Sequence, residues 1–286
     1  MTALRKTELA NLTKEKRIPW AQWATALIAV SSLAFLIISF AQGNINWGTV
    51  GRYLFDKGIL LGLINTIWMT FAAMFLTIVL GTILAIMKIA PNGVLKSISG
   101  FYIWLFRGIP QLLQLFLWYN LALVFPYIGI PGVLGVETSS LMTPVLATVL
   151  GLGLCQAAYT AEVVRAGVLS VDDGQVEAAS SIGMRYGQQL YRVILPQAMR
   201  VIIPPVGNYF ITMVKLTSLA SAIQFSEILY NAQTIYYVNG QVMELLFVAT
   251  FWYLIVITVL TLIQARIETY FSKGYTRESK PRNGSN

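Results

Sequence analysis

Two ionisable side chains fall inside long apolar runs of this chain, Glu162 in "AAYTAEVVRAG" and Lys215 in "FITMVKLTSL". A charge in such a run is costly unless it meets water, an opposite charge or hydrogen-bonding partners, so each is a candidate for function. Gln114 lies about one turn inside a third run, Arg107 and Tyr159 stand near the edges of runs, and Thr217 and Ser218 follow Lys215. One fixed cation, one fixed anion and an amide are the groups that can hold a small zwitterion by its carboxylate and its ammonium. The same residues have plainer uses. Glu162 can pair with Arg165 or Arg107 as structural glue, Lys215 can extend its stem toward the interface, and Thr217 and Ser218 can bond between helices.

Other chemistry has little to work with. The chain has no histidine and one cysteine, Cys155, which excludes paired-cysteine metal sites, disulfide frameworks and histidine-based acid–base or nucleophilic schemes. A serine or threonine nucleophile would need a base beside it, and no such pair stands out. That weighs against a membrane enzyme. A transporter driven by an ion gradient is the other alternative, and the scarcity of carboxylates within the apolar runs weighs against it.

The elements that must position these groups are membrane spans. Of 286 residues 56% are hydrophobic and 11% charged, far too apolar for a soluble domain of this length. Six segments reach the ~20 residues needed to cross about 30 Å of hydrocarbon. They are Trp20–Ala41, Ile59–Met87, Gly108–Tyr127, Leu141–Ala161, Ile202–Ile223 and Leu245–Gln264, the second long enough to be tilted. With a cytoplasmic N-terminus, all but three of the 20 lysines and arginines fall on the inner side, Arg107 counted among them; Arg52 and Lys57 lie outside and Lys215 within a span. The net charge of +8 is therefore read as membrane topology, with both termini cytoplasmic, and not as nucleic-acid binding. The expected organisation is a segment 1–19, an anchor helix and outer loop 20–57, a core 58–270 with a cytoplasmic loop 166–200, and a tail 271–286. The first span is read as a retained anchor although "SFAQ" resembles a cleavage site, because its apolar run exceeds a signal-peptide core of ~7–15 residues. The stretch 224–243, with Tyr230, Tyr236 and Tyr237, reads as an interfacial helix or loop that could face an external partner. "GILLG" (Gly58–Gly62) has a small-xxx-small spacing, and "WYN" and "FWY" read as packing residues.

The loop 166–200 has its own logic. Asp172 or Asp173 can cap a helix whose first turns hold Glu177, near the positive end of the helix dipole. Ala178 and Ala179 leave a face with almost no bulk, Gly183 can end the helix, and Pro196 suits the first turn of the next. The product is a stiff elbow: a small docking helix joined through a turn to a helix that returns to the membrane.

Glu177, Ala178, Ala179, Gly183, Leu195 and Pro196 stand in the register of the EAA loop of ATP-binding-cassette importer permeases, which this segment resembles; Val193 replaces the usual isoleucine. "RGIPQLLQLF" (Arg107–Phe116) and "AAYTAEVVRAGVLSVDDGQVEAA" (Ala157–Ala179) resemble signatures of the polar amino-acid branch. A third stretch departs: "KLTSL" has Leu216 where that family commonly has an acid, so Lys215 loses its usual neighbour. The resemblance implies an all-α integral-membrane fold of the type I importer, with an extra N-terminal helix before a five-helix core. It implies that Glu177–Gly183 forms the coupling helix that enters a groove of a partner ATPase. No G-x-x-x-x-G-K-[ST] phosphate loop occurs, so ATP and Mg belong to that partner and this chain is expected to bind no cofactor and to perform no catalysis. Further implied partners are a second permease subunit, identical or related, a periplasmic or lipid-anchored solute-binding protein, and the lipid of a bacterial inner membrane.

Overall fold

The computed structural model describes residues 20–130 and 134–272. The expected N-terminal segment, and all but the start of the expected tail, lie outside the described residues. Contacts divide the chain into two compact units, Met1–Trp47 and Gly48–Asn286. The first holds α1 (Trp20–Gln42), an apolar helix whose described side chains are exposed.

From the last residue of the first unit α2 (Trp47–Tyr53) leads to α3 (Lys57–Ile89) of the second, a helix of 33 residues whose start is capped by the Asp56 carboxylate. At about 1.5 Å per residue α3 is ~50 Å long, well beyond a bilayer core, as its length in the sequence predicts. With α6 (Pro144–Leu169) and α11 (Val242–Ser272), α1 and α3 are the four described helices long and apolar enough to cross a membrane.

The expected span Gly108–Tyr127 needs correction. The helix begins earlier, as α4 (Gly93–Gly108), breaks at Ile109–Pro110, and resumes as α5 (Gln111–Tyr119). Proline offers no N–H and disfavours helical geometry in the residue before it, and Ile109 is extended at φ −96°, ψ 130°. Past Tyr119 the chain does not stay helical to Tyr127. A 3-10 turn, Leu121–Leu123, leads into an antiparallel hairpin of β1 (Tyr127–Ile130) and β2 (Leu134–Glu137), with Ile128 opposite Val136. Hydropathy marks this stretch as apolar but carries no sign of the break or the strands. Arg107 therefore sits at the far end of α4 from the loop that starts it, not in an inner loop as the charge count assumes.

The elbow 173–194 precedes α9 (Leu195–Leu216), which carries Pro204 and Pro205 inside it and runs on as a 3-10 turn to Ile223. Counted with the four long helices, α4–α5 and α9 are consistent with six crossings. The expected interfacial stretch is α10 (Ile228–Asn239), and one of its faces is fully buried: Ile228 and Ala232 pack with Ile59, Leu245 and Val248. Gly62 has its close neighbour there. A Cβ at Gly62 would come within 2.8 Å of the Glu227 carbonyl and the Asn231 amide, so its packing partner is α10 of the same chain. The main contact of the core is α3 against α6, where Met69, Ala73 and Met74 meet Ala147 and Leu152 and the Thr77 hydroxyl donates to the Gly153 carbonyl at 3.2 Å.

Candidate functional site

The elbow is built from short-range bonds. Asp172 accepts from the Gly174 N–H at 2.8 Å and caps α7 (Asp173–Ser181), with Asp173 in the first turn. At the other end Gly183 adopts φ 78°, and the N–H groups of Gly183 and Met184 return to the carbonyls of Ser180 (2.9 Å) and Ala179 (3.1 Å). This is the glycine-dependent ending that the sequence predicts. Ala179 is buried, whereas Glu177 and Ala178 are exposed, flanked by Ile182 and Tyr186, which are 74% and 72% exposed.

The next helix starts before Pro196. It opens as α8 (Tyr186–Gln189), where the Arg185 N–H donates to the Gln188 side chain at 3.0 Å, and passes through a π turn, Leu190–Ile194, directly into α9. Pro196 lies in the first turn of α9, where the π turn has already interrupted the regular ladder and a missing N–H disturbs least. Buried Gln189 ties the two arms together by donating to the Ser180 hydroxyl (3.0 Å) and the Met184 carbonyl (2.8 Å).

The second constellation surrounds the α4–α5 break. The Arg107 guanidinium lies 5.1 Å from the centre of the Tyr159 ring, a cation–π distance, and Tyr209 of α9 is within electrostatic reach of both. Gln114 is buried and donates to the carbonyls of Phe106 (3.0 Å) and Ile109 (2.9 Å), which the break leaves without helical partners. Its own side-chain oxygen has no partner among the described residues. Glu162 pairs with Arg165 at 2.8 Å, the first of its two sequence alternatives. Lys215 is exposed and forms no ion pair among the described residues, and the hydroxyls of Thr217 and Ser218 bond back to Val214 and Lys215 on their own helix, both at 2.7 Å. The structure thus brings Arg107, Gln114 and Tyr159 to one place and sets Glu162 one turn along α6.

Two polar residues escaped the sequence reading. Glu227 is fully buried at the start of α10, accepting from the N–H groups of Leu229 (2.8 Å) and Tyr230 (2.6 Å) and from the Tyr253 hydroxyl. An acid directly before an apolar helix is a capping signal, but the stretch reads as an outer loop and so hides a carboxylate inside the bundle. Gln264 is also buried, joining α11 to the Pro204 carbonyl of α9 at 3.1 Å and to Glu268 at 2.8 Å. Among the described residues no group of three or more His, Cys, Asp or Glu could hold a metal.

Residues 77–273 match the family model described as the binding-protein-dependent transport system inner membrane component. The chain belongs to this family. The matched segment includes every residue of the elbow and of the break. Members are permease subunits of ATP-binding-cassette importers, in which a separate subunit hydrolyses ATP, so this permease is not itself an enzyme. An arginine transport system permease protein of Corynebacterium glutamicum is 41% identical over 90% of this chain and 82% of its own length. An L-cystine transport system permease protein of Bacillus subtilis is 36% identical over 72% of this chain and 83% of its own. Among solved structures, an amino acid ABC transporter crystallised with histidines matches with a TM-score of 0.68 at 30% identity, over 79% of this chain and 99% of that one. A methionine ABC transporter in an inward-facing conformation shares the fold, with a TM-score of 0.59 at 19% identity over 75% of this chain and 96% of that one. The type I permease fold inferred from the coupling loop is the fold observed.

Proposed function

We propose that this permease passes a polar amino acid or a similar small zwitterion across a bacterial inner membrane, delivered by an external binding protein and driven by an ATPase that grips α7. The observation that carries the reading is the elbow: α7 exposes Glu177 and Ala178, and Gln189 and the π turn join it rigidly to α9. ATP closing a dimeric motor would move two such elbows, one from this chain and one from an identical or related permease, and the spans would open outward; hydrolysis would reset them. Both termini are cytoplasmic in this reading, on the side of α7. Arg107 and Tyr159 face the solute, Gln114 holds the break that presents them, and Glu162, Lys215, Thr217 and Ser218 lie along the same path. The amino-acid assignment is supported by the relatives' arginine and L-cystine transport.

The test is co-purification and uptake. Glu177→Lys reverses the charge at the exposed face of α7, and is expected to abolish ATPase association and ATP-dependent uptake while the permease stays folded in the membrane. Normal uptake by Glu177→Lys would remove the coupling assignment, and uptake that persists without any ATPase would favour a gradient-driven transporter.

A further inference from the structure

Helix α9 changes character at its two internal prolines, Pro204 and Pro205. Proline brings no N–H, so the carbonyls of Arg200 and Val201, four residues earlier, lose their helical donors and the helix bends more easily there than elsewhere. The bend is held from outside. Buried Gln264 of α11 donates to the Pro204 carbonyl at 3.1 Å, and a Cβ at Gly207 would overlap the Gln264 amide. The missing side chain of Gly207 is therefore what lets α11 reach the bend.

The two parts of α9 are packed differently. Beyond the prolines, Met213 and Val214 are buried, Met213 with Met69 and Met74 of α3, and the following 3-10 turn adds Ala220 and Ile223 to the same cluster. Helix α10 continues this fixed body. The Asn231 amide ties it to α3 by donating to the Gly58 carbonyl at 2.7 Å, and the Tyr253 hydroxyl on Glu227 ties it to α11. Before the prolines, residues 195–203 meet α6 along one side, where Ala198 and Ile202 cluster with Ala157, Ala158 and Ala161. Their flanks are open. A cleft of about 890 Å³ lies between Met199, Ile203 and the α3 residues Ile78 and Thr82, and another of about 680 Å³ lies between Met199, Arg200 and the α11 residues Tyr270 and Phe271. The cavity beside the later part, bordered by Phe71, Phe210 and Ile255, is smaller, at about 290 Å³. The open part is also the one that joins the elbow through the π turn.

We propose that α9 is a jointed lever: residues 195–203 swing with the elbow as an arm, the part beyond Pro205 stays with the outer body of α3, α10 and α11, and Gln264 is the positioning residue that pins the joint. The inference rests on the proposed transport function and says where the elbow's movement is taken up. The alanines of α6 offer little relief for Ala198 and Ile202 to climb, so a sideways swing breaks few contacts. The two clefts are the space it swings into.

The experiment compares three permeases: the unaltered chain, Pro204→Ala with Pro205→Ala, which restores both N–H groups and stiffens the helix, and Pro204→Gly with Pro205→Gly, which restores them but leaves it pliable. Nitroxide spin labels are attached at Val79→Cys on α3 and Val201→Cys on the arm, both exposed, with buried Cys155 retained. Pulsed electron paramagnetic resonance then gives their separation, with labelled chains diluted among unlabelled ones so that only pairs within one chain report. A second pair, Ile64→Cys and Leu254→Cys, reports on the fixed body. The arm pair should show a broad distance distribution in the unaltered and glycine permeases and a narrow one in the alanine permease, while the second pair stays narrow in all three. Uptake per ATP hydrolysed, measured with the ATPase that co-purifies, should fall by about threefold or more in the alanine permease and be retained in the glycine permease. An arm distribution unchanged by alanine, or narrowed equally by glycine, overturns the joint, and a second pair as broad as the first overturns the fixed body. Gln264→Leu should broaden the arm distribution further; a loss of thermal stability with no broadening would make Gln264 a packing residue and overturn its role as the pin. The distances need no ATPase, so failure of the importer reading would appear separately, as an unaltered chain that neither binds an ATPase nor takes up solute with ATP.

Discussion

The elbow and the helix break are both polar features of an apolar chain, but they are made in opposite ways. Every bond that shapes the elbow joins residues within about ten positions of one another, from the Asp172 cap to the Gln189 ties. The break is assembled from α4, α5 and α6, so that Arg107 meets Tyr159 some fifty residues away, with Tyr209 of α9, a hundred residues away, within electrostatic reach. A local device can act as a rigid lever on its own, whereas an assembled one changes shape whenever its helices move. That is the division of labour an alternating-access transporter needs.

The largest effect that separates the two should come from Gly183→Val. A β-branched residue at φ 78° is strained by about 1–2 kcal/mol and weakens the bonds that end α7. ATP-driven uptake should fall by about tenfold or more and ATPase binding should weaken, while the permease stays folded in the membrane. Normal uptake would mean that the turn geometry does not carry the coupling. Arg107→Leu should do the reverse. ATPase association should be unchanged, and the solute concentration for half-maximal uptake should rise by roughly tenfold, the cost of losing one charge-assisted contact of about 1.4 kcal/mol. Arg107→Lys, which keeps the charge but not the planar fork, should fall between. Equal half-maximal concentrations in all three would take Arg107 off the path.

This contrast explains what the sequence disclosed. Asp172 and Gly183 could be read directly because caps and positive-φ turns depend on neighbours in the chain, whereas the expected face of Ala178 and Ala179 is divided, with Ala179 buried by elements the local pattern does not show. Pro110 is also visible, but a 20-residue hydropathy window smooths over one extended residue and reads the run as a single span. Glu227 and Gln264 were hidden for the deeper reason that their partners, Tyr253 and the Pro204 carbonyl, lie 26 and 60 residues away.

A smaller effect tests whether Gln114 belongs to the path or to the frame. Gln114→Leu strands the Ile109 carbonyl at the break and leaves that of Phe106 only the weak Cys155 thiol donor at 3.4 Å, and a buried acceptor without a donor costs about 1–3 kcal/mol. The transporter should lose thermal stability in detergent, and Gln114→Glu should not restore it, because a carboxylate cannot donate to two carbonyls. A change in uptake without any loss of stability would move Gln114 from frame to contact.

The smallest effect concerns Glu162 and Arg165, which is where a structural pair and a solute contact are hardest to tell apart. Both side chains are partly exposed, at 29% and 37%, and they sit three residues apart on one helix, so water screens their attraction. As a pair they should contribute no more than about 0.5 kcal/mol, with Glu162→Gln and Arg165→Gln each changing stability slightly and the double variant falling below the sum of the two. Uptake discriminates further. If Glu162 only neutralises Arg165, adding Arg165→Gln should rescue whatever uptake Glu162→Gln loses, because the unpaired guanidinium is gone. If Glu162 meets the ammonium of the solute, the double variant should remain as poor as the single one, and the break would then hold both halves of a zwitterion: Arg107 for the carboxylate and Glu162, one turn along α6 from Tyr159, for the ammonium.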